Sequence, residues 1–476
     1  MDAERVADAV WAAGAVARGD VSAAELLEHH RRRIVDGADR WNAVVDTDFA
    51  GAAVAAADID RRVAAGAEVG ALAGVPMTLK DSFDVAGMRT THGRRSDAHR
   101  AATDAPAVAR LRAADAVPFG KSNVPVLLAG YQTANEDFGR TLNPWDPDRA
   151  PGGSSGGAAV AVATGRSTIE LGSDLAGSIR IPAAWNGIFG HRPSNGVVSK
   201  RGHLPWREGS LIEPPNSVSG PLARSARDLE RVLPLIAGAS APDDAAWRLE
   251  LPAAPWESLH GLRVGVWSQC AVAPVTAEMR RAIAALAASM ESLGARIVPL
   301  DTVPLDTVPG ADADGLALFD RLMNAEIAHS ADPEAVASVA GVAGTIGQLV
   351  HDHWRDLETQ RRIRAEWERA VFAHVDVVLA PAVHGAAPLW DDRPVEERLL
   401  DIDGVAHPAA ATISAWSRIP NLAMLPCTVV PMGPGAETGQ PMGAQLIGRY
   451  LHDRTTLRIA SLLERDDVVR FEAPAG

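Results

Sequence analysis

The stretch PGGSSGGAAVAVATGRSTIELGSDLAGSIRIPAAWNGIFGHRP, residues 151–193, organises the rest of the chain. Glycine and serine crowd Pro151 to Gly157, so the backbone there can turn tightly and approach a ligand closely. A small-residue helix is expected over Ala158 to Thr164. Leu171 to Arg180, LGSDLAGSIR, then makes a second small-residue turn carrying one more serine. Two serine-bearing glycine loops around one helix gather hydroxyls and backbone N–H groups. Acyl transfer needs both, as nucleophile and as donors to the oxyanion.

The chain has 476 residues, 47% of them hydrophobic, and a net charge of −14 with no long basic run. That balance argues against a nucleic-acid groove or an anionic membrane surface as partner. Cys270 and Cys427 lie far apart and form no metal or disulfide pattern, and their apolar flanks suit core residues. The N-terminus has early acids and no apolar segment of secretory type. No run approaches the roughly 18 apolar residues of a membrane span. A soluble, cytoplasmic protein is expected.

Ser22 to Asp36 reads as a helix, with Ser22 and Glu25 as a capping box, and Phe49 to Ala67 as an alanine-rich packing helix. Met77 to Leu79 is a short apolar strand that Lys80 ends. A lysine there is ordinarily a surface terminus; desolvation would lower its pKa and make it a base. Asp81 suits a structural role. A short helix follows over Asp104 to Leu111, then a strand and turn over Val117 to Asn123. Gly120-Lys121-Ser122 has Asp115 where a P-loop requires glycine, which discounts a nucleotide site.

Beyond the serine region, Ser225 caps a helix over Ala226 to Ala237. A strand (Gly261 to Trp267), a helix (Thr276 to Leu293) and a strand (Arg296 to Leu300) give a βαβ rhythm. That rhythm implies a largely parallel sheet covered by helices. The tandem LDTVP repeat at 300–309 reads as a loop and 316–374 as mostly helical. Val375 to Ala380 reads as a buried strand, followed by an irregular Pro381 to Pro388. Asn421 to Met432 and Met442 to Ile447 read as closing strands, and Asp453 to Glu464 as a last helix. No sharp boundary divides residues 1–476, so a single domain is expected.

Three readings compete for GGSSGG on its own. Gly152 to Gly156 fits the G-x-S-x-G nucleophile elbow, which would make Ser154 the nucleophile of an α/β-hydrolase. That enzyme needs a downstream histidine, and His351, His384 and His407 offer no distinctive setting. A phosphate cradle at a helix N-terminus is the second reading. The third is a glycine-rich hinge whose serines cap the helix.

The wider set of motifs resembles the amidase signature family, whose members hydrolyse amides with a serine–serine–lysine triad. It comprises GVPMTLK ending at Lys80, GGSSGG, and SDLAGSIRIPAAWNGIFGHRP with Ser178. KSNVP (121–125), NPWDP (143–147), SGPLARS (219–225), NLAMLPCTVVPMG and GQPMGAQLIG continue it. The resemblance spans roughly residues 1 to 465, with a core motif region at 72–225, and is weakest between about 240 and 410. It implies Ser178 as nucleophile, Ser154 as the bridging serine after a cis peptide, and Lys80 as the catalytic lysine. It also implies an oxyanion hole of the backbone N–H groups of Leu175, Ala176, Gly177 and Ser178. Ser155, Asp174 and Arg180 would support the loop. The implied fold is α/β: one large domain with a mixed, mainly parallel twisted sheet covered by helices on both faces.

The chain departs from the family pattern at Ala176, where glycine is usual, and at Trp185 and His191-Arg192, which bear on pocket shape. The family also includes the glutamine-amidase subunit of a tRNA-dependent amidotransferase. The variable region of about 300–420 holds apolar and tryptophan positions and no matching glutamine pattern, which favours a free-standing amidase acting on apolar or aryl acyl amides. Carbamate (urethane) and ester hydrolysis remain open. Trp206, Trp390 and Trp416 are the candidate pocket residues. No metal or organic cofactor is expected, and the chain would act as a monomer or homodimer on a small molecule.

Overall fold

A computed structural model of the chain describes residues 8–35, 40–203, 210–300, 308–330 and 350–474. Most of the LDTVP repeat, part of the 316–374 region and Trp206 lie outside these residues.

Eleven strands join one sheet. In chain order they are β1 (Val44–Thr47), β2 (Pro76–Lys80), β3 (Val117–Ser122), β4 (Ile169–Asp174), β5 (Phe189–Arg192) and β6 (Val218–Ala223). The others are β7 (Arg263–Val266), β8 (Arg296–Pro299), β9 (Val377–Pro381), β10 (Cys427–Pro434) and β11 (Pro441–Ile447). Their order across the sheet is β1-β3-β2-β4-β6-β5-β10-β11-β9-β7-β8.

The sheet is mixed, but it is less parallel than the βαβ rhythm suggests. Parallel pairing is confined to two blocks, β2 with β3 and β4, and β7 with β8 and β9. The other six junctions are antiparallel. The reason is chain economy: β10 and β11 are joined by a short turn, Gly435 to Gln440, that cannot make a parallel crossover.

Helices cover both faces. Neighbouring residues such as Leu222 and Ala223, or Val429 and Val430, enter different apolar clusters, as period-two alternation requires. One cluster receives the helices Ala23–Val35, Phe49–Ala64, Ala226–Ile236, Ala277–Ser292 and Asp453–Arg465. The other receives Gly156–Ala163, Arg180–Asn186 and the start of Ala409–Leu422.

Local signals behave as read. Ser22 and Glu25 form their capping box, each backbone N–H meeting the other's side chain at 2.9 and 3.0 Å. Ser225 and Thr276 cap their helices by accepting from Asp228 N and Met279 N.

Two segments differ. Leu171 to Asp174, read as the start of a small-residue turn, complete the strand Ile169–Asp174, because pairing with β6 along their length and with β2 at Leu171 holds them extended. Asn421 and Leu422 belong to the helix Ala409–Leu422, and the closing strand begins only at Cys427. The helix holds Thr412, Ile413 and Ile419, and Pro420 lies in its last turn; these residues weaken its propensity, and burial on both sides sustains it. Among the described residues no helix is long and apolar enough to cross a membrane.

Candidate active site

The parallel pair β2 and β4 ends where chemistry is expected, with Lys80 at the last position of one strand and Asp174 at the last of the other. The GGSSGG loop lies over these ends and feeds the helix Gly156–Ala163. Small residues are required there: a Cβ on Gly157 would sit 2.4 Å from the backbone nitrogen of Asn123. The two serine loops are stitched together, since Ser155 N–H donates to the Ser178 carbonyl at 3.2 Å.

Lys80 has no exposed surface. Its Nζ donates to Ser154 Oγ at 2.7 Å and to Ser173 Oγ at 2.8 Å. Burial lowers the Lys80 pKa from 10.5 to about 7, although Asp174 and Glu170 favour its protonated form. A neutral amine is therefore accessible near neutral pH beside a buried hydroxyl. The peptide between Gly153 and Ser154 is cis. Ser155 completes the group, its Oγ donating to the Ser173 carbonyl at 3.3 Å.

Ser178 and Leu175 are only half-buried, so the reactive surface opens at this loop. Asp174 shapes it from below by accepting from Gly177 N–H at 2.8 Å and Ile179 N–H at 3.2 Å. Gly177 has φ +108, outside the range that a side chain favours. Arg180 grips both carboxylate oxygens of Asp174, at 2.9 and 3.0 Å. Burial pushes the Asp174 carboxyl up, but the Arg180 charge and hydrogen bonds outweigh it and hold the carboxyl well below the usual range.

Residues that sequence reasoning did not single out complete the frame. Ser173 is the second acceptor for Lys80. Asn421 takes the Arg180 guanidinium at 2.7 Å and donates to the Leu175 carbonyl at 2.6 Å. Ser417, through its carbonyl, and Gln445 accept from the other guanidinium nitrogen, each at 3.1 Å. Asn421 and Gln445 stand inside the motifs NLAMLPCTVVPMG and GQPMGAQLIG, so the signal was present without a role attached.

Of the expected oxyanion donors, Gly177 N–H is already engaged by Asp174. The N–H groups of Leu175, Ala176 and Ser178 donate to no other described residue.

The tryptophan candidates separate. Trp416 is fully buried and packs edge-on against Trp267, 4.7 Å between ring centroids, on the core side of its helix. Trp390 lies in a half-buried loop under the guanidinium of Arg140, 3.9 Å from its ring centre. A small pocket of about 50 Å³, partly open to solvent, is instead lined by Tyr131, Gln132, Trp185, Leu400, Ile413 and Arg398 among others. It adjoins the serine loop: a Cβ on Gly153 would lie 3.2 Å from Tyr131 Cα.

Neither alternative reading of GGSSGG fits. A phosphate would need the backbone donors at the start of the helix, but Ser155 N–H is taken by the Ser178 carbonyl and Gly157 N–H by the Asn123 carbonyl. Ser154 pairs with Lys80, and among the described residues no histidine hydrogen-bonds it. His384 packs against Trp185 with ring centroids 6.0 Å apart.

The family profile described as Amidase matches residues 25–457. A glutamyl-tRNA(Gln) amidotransferase subunit of Synechococcus sp. (strain CC9902) is 31% identical, covering 96% of this chain and 95% of its own length. A solved protein from a vestigial complex, studied for the evolutionary origins of an s-triazine catabolic enzyme, gives a TM-score of 0.82 at 27% identity; the match covers 98% of this chain and all of that one. A bacterial aryl acylamidase of the amidase signature family gives 0.80 at 25% identity, with 98% of each chain covered. With the profile spanning most of its length and these relatives matching it nearly end to end, the chain belongs to the amidase signature family of amidohydrolases.

Proposed function

We propose that the chain is a free-standing amidase that cleaves the C–N bond of apolar or aryl acyl amides through a covalent acyl-enzyme. The observation that carries this reading is the 2.7 Å contact of Lys80 Nζ with Ser154 Oγ inside a site closed to water on the lysine side. Neutral Lys80 takes the proton of Ser154 as Ser154 takes that of Ser178, and Ser178 Oγ bonds to the acyl carbon. The carbonyl oxygen, now negative, is met by the N–H groups of Leu175, Ala176 and Ser178. The relay then returns the proton to the leaving nitrogen and the C–N bond breaks. Water repeats the sequence on the ester and frees Ser178.

The mostly apolar wall of the small pocket beside Tyr131, with Trp185, Leu400 and Ile413, supports an apolar group on the substrate. Ala176 also packs against the buried Leu318, Phe319, Leu322 and Leu422 on one side of the loop. Carbamates and esters share the same acyl chemistry and belong to the expected side activities. Turnover of a panel of aryl amides, primary amides, carbamates and esters tests the reading. Preference for aryl amides, abolished in Ser178→Ala, supports it; a panel turned over equally by Ser178→Ala contradicts it.

A second reading rests on the relative at 31% identity, a glutamyl-tRNA(Gln) amidotransferase subunit. It predicts ammonia release from glutamine and none from the aryl panel.

A further inference from the structure

Beneath Lys80 lies a carboxyl group that the relay does not use. Glu170 and Thr78 are partners in the parallel register of β4 and β2, and Thr78 Oγ1 donates to Glu170 Oε1 at 2.5 Å. That contact puts both side chains on one face of the sheet. Alternation then places Lys80, two residues after Thr78, and Asp174, four after Glu170, on that same face. The helix Gly156–Ala163 covers it and offers only glycine, alanine and valine, with no titratable group. Glu170 is buried, and its Oε2 has no hydrogen-bond partner among the described residues; the Ser122 hydroxyl faces the carboxyl without reaching bonding geometry.

We infer that Glu170 is a positioning residue for the base: it sits below Lys80 as a neutral acid and thereby lets Lys80 serve as a free amine. The inference rests on Lys80 acting as proposed above.

The charges around Glu170 favour this division. Lys80 comes from β2, Lys121 from β3 and Asp174 from β4 itself. Asp174 is matched by Arg180, and Lys121 has its own acceptors in Asp81 and the Phe83 carbonyl. That leaves Lys80 as the cation without a dedicated carboxylate. An ionised Glu170 would supply one and hold the proton on Lys80. Burial opposes this by pushing the Glu170 carboxyl up to about 8, against the opposing pull of Thr78. One proton is thus held between two buried groups, and the form with the acid on Glu170 and the amine on Lys80 is the reactive one.

The test is the pH profile of kcat/KM for Glu170→Gln, a neutral isostere that cannot ionise. Because Gln keeps the uncharged state assigned to Glu170, the foot of the acid limb stays in place, while the rise to the plateau, which ionisation of Glu170 spreads to higher pH in the wild type, completes roughly half a unit earlier with KM little changed. A merely structural carboxyl would lower kcat at every pH and leave the shape of the limb unchanged. Thr78→Val decides the matter if Glu170→Gln fails to fold. Without the Thr78 hydrogen bond the carboxyl stays neutral to higher pH, and the rise completes earlier in the same way by less. A limb of unchanged shape, or one whose foot moves to lower pH as loss of an ionised partner would move it, overturns the role of Glu170. If Ser178→Ala keeps its turnover, the triad reading fails instead, so the two failures are distinguishable.

Discussion

Asn421 Nδ2 donates to the Leu175 carbonyl across 2.6 Å, and its Oδ1 accepts from Arg180 at 2.7 Å. One amide from the far helix therefore holds both ends of the loop that presents Ser178. We expect Asn421→Ala to lower kcat by about 10–100-fold with a smaller change in KM, since the nucleophile loop would shift while the cavity stays in place. Steady-state kinetics on one good amide substrate reads this directly; an equal rise in KM at constant kcat would assign Asn421 to substrate binding.

Asp174→Asn leaves Arg180 buried without its charge partner. A loss of about 3–5 kcal/mol in unfolding free energy is expected by urea titration. The sign with pH follows from a folded carboxyl held below its ordinary value. Its stabilisation is complete above the unfolded pKa of about 3.9 and is lost as pH falls through the lower folded value. The gap between variant and wild type should therefore be full at pH 7 and narrow only in strong acid.

Lys80 works in the opposite sense. Its pKa falls from 10.5 unfolded to about 7 folded. Between those values the unfolded chain binds more protons, so stability rises with pH across that window. Lys80→Met removes the buried amine and should be inactive yet more stable at neutral pH, by about 1–4 kcal/mol, with the gain vanishing above the unfolded pKa. Denaturation at pH 7 and pH 10 checks it; a gain that does not shrink with pH would mean that Lys80 is not held neutral.

Ile413 and Ala410 line the cavity one and two helical turns before Ser417, which abuts Gly177 beside Ser178. Filling it with Ala410→Phe should cut kcat/KM for aryl amides about 10–200-fold and spare small aliphatic amides. Equal loss on both classes would place the aryl group elsewhere.

Much of this site was legible because its chemistry is local in sequence. Lys80 ends a strand, GGSSGG and Ser178 bracket one helix, and Asp174 and Arg180 flank Ser178, so the residues proposed for the chemistry all fall inside short motifs. The support from Asn421, Ser417 and Gln445 arrives from more than two hundred residues away through Arg180, a contact that no periodicity announces. Ser173 and Glu170 were hidden differently. Ser173 sits in a stretch read as a small-residue turn and Glu170 just before it, and their importance lies in what they face across the β2–β4 register. The antiparallel share of the sheet was missed because return strands such as β5, FGHR, and β6, VSGPLA, carry too few apolar residues to read as strands. Trp416 was misleading in the other direction: its helix shows one face to the core and another to Arg180, and tryptophan is on the core face.

The most direct measurement is the intact mass of the protein after reaction with a serine-directed sulfonyl fluoride, followed by peptide mapping. A single adduct on Ser178, formed as activity disappears and absent in both Ser178→Ala and Lys80→Met, is the expected result. An adduct on Ser154 with Ser178 unmodified would contradict the assignment of the nucleophile and of the relay that activates it.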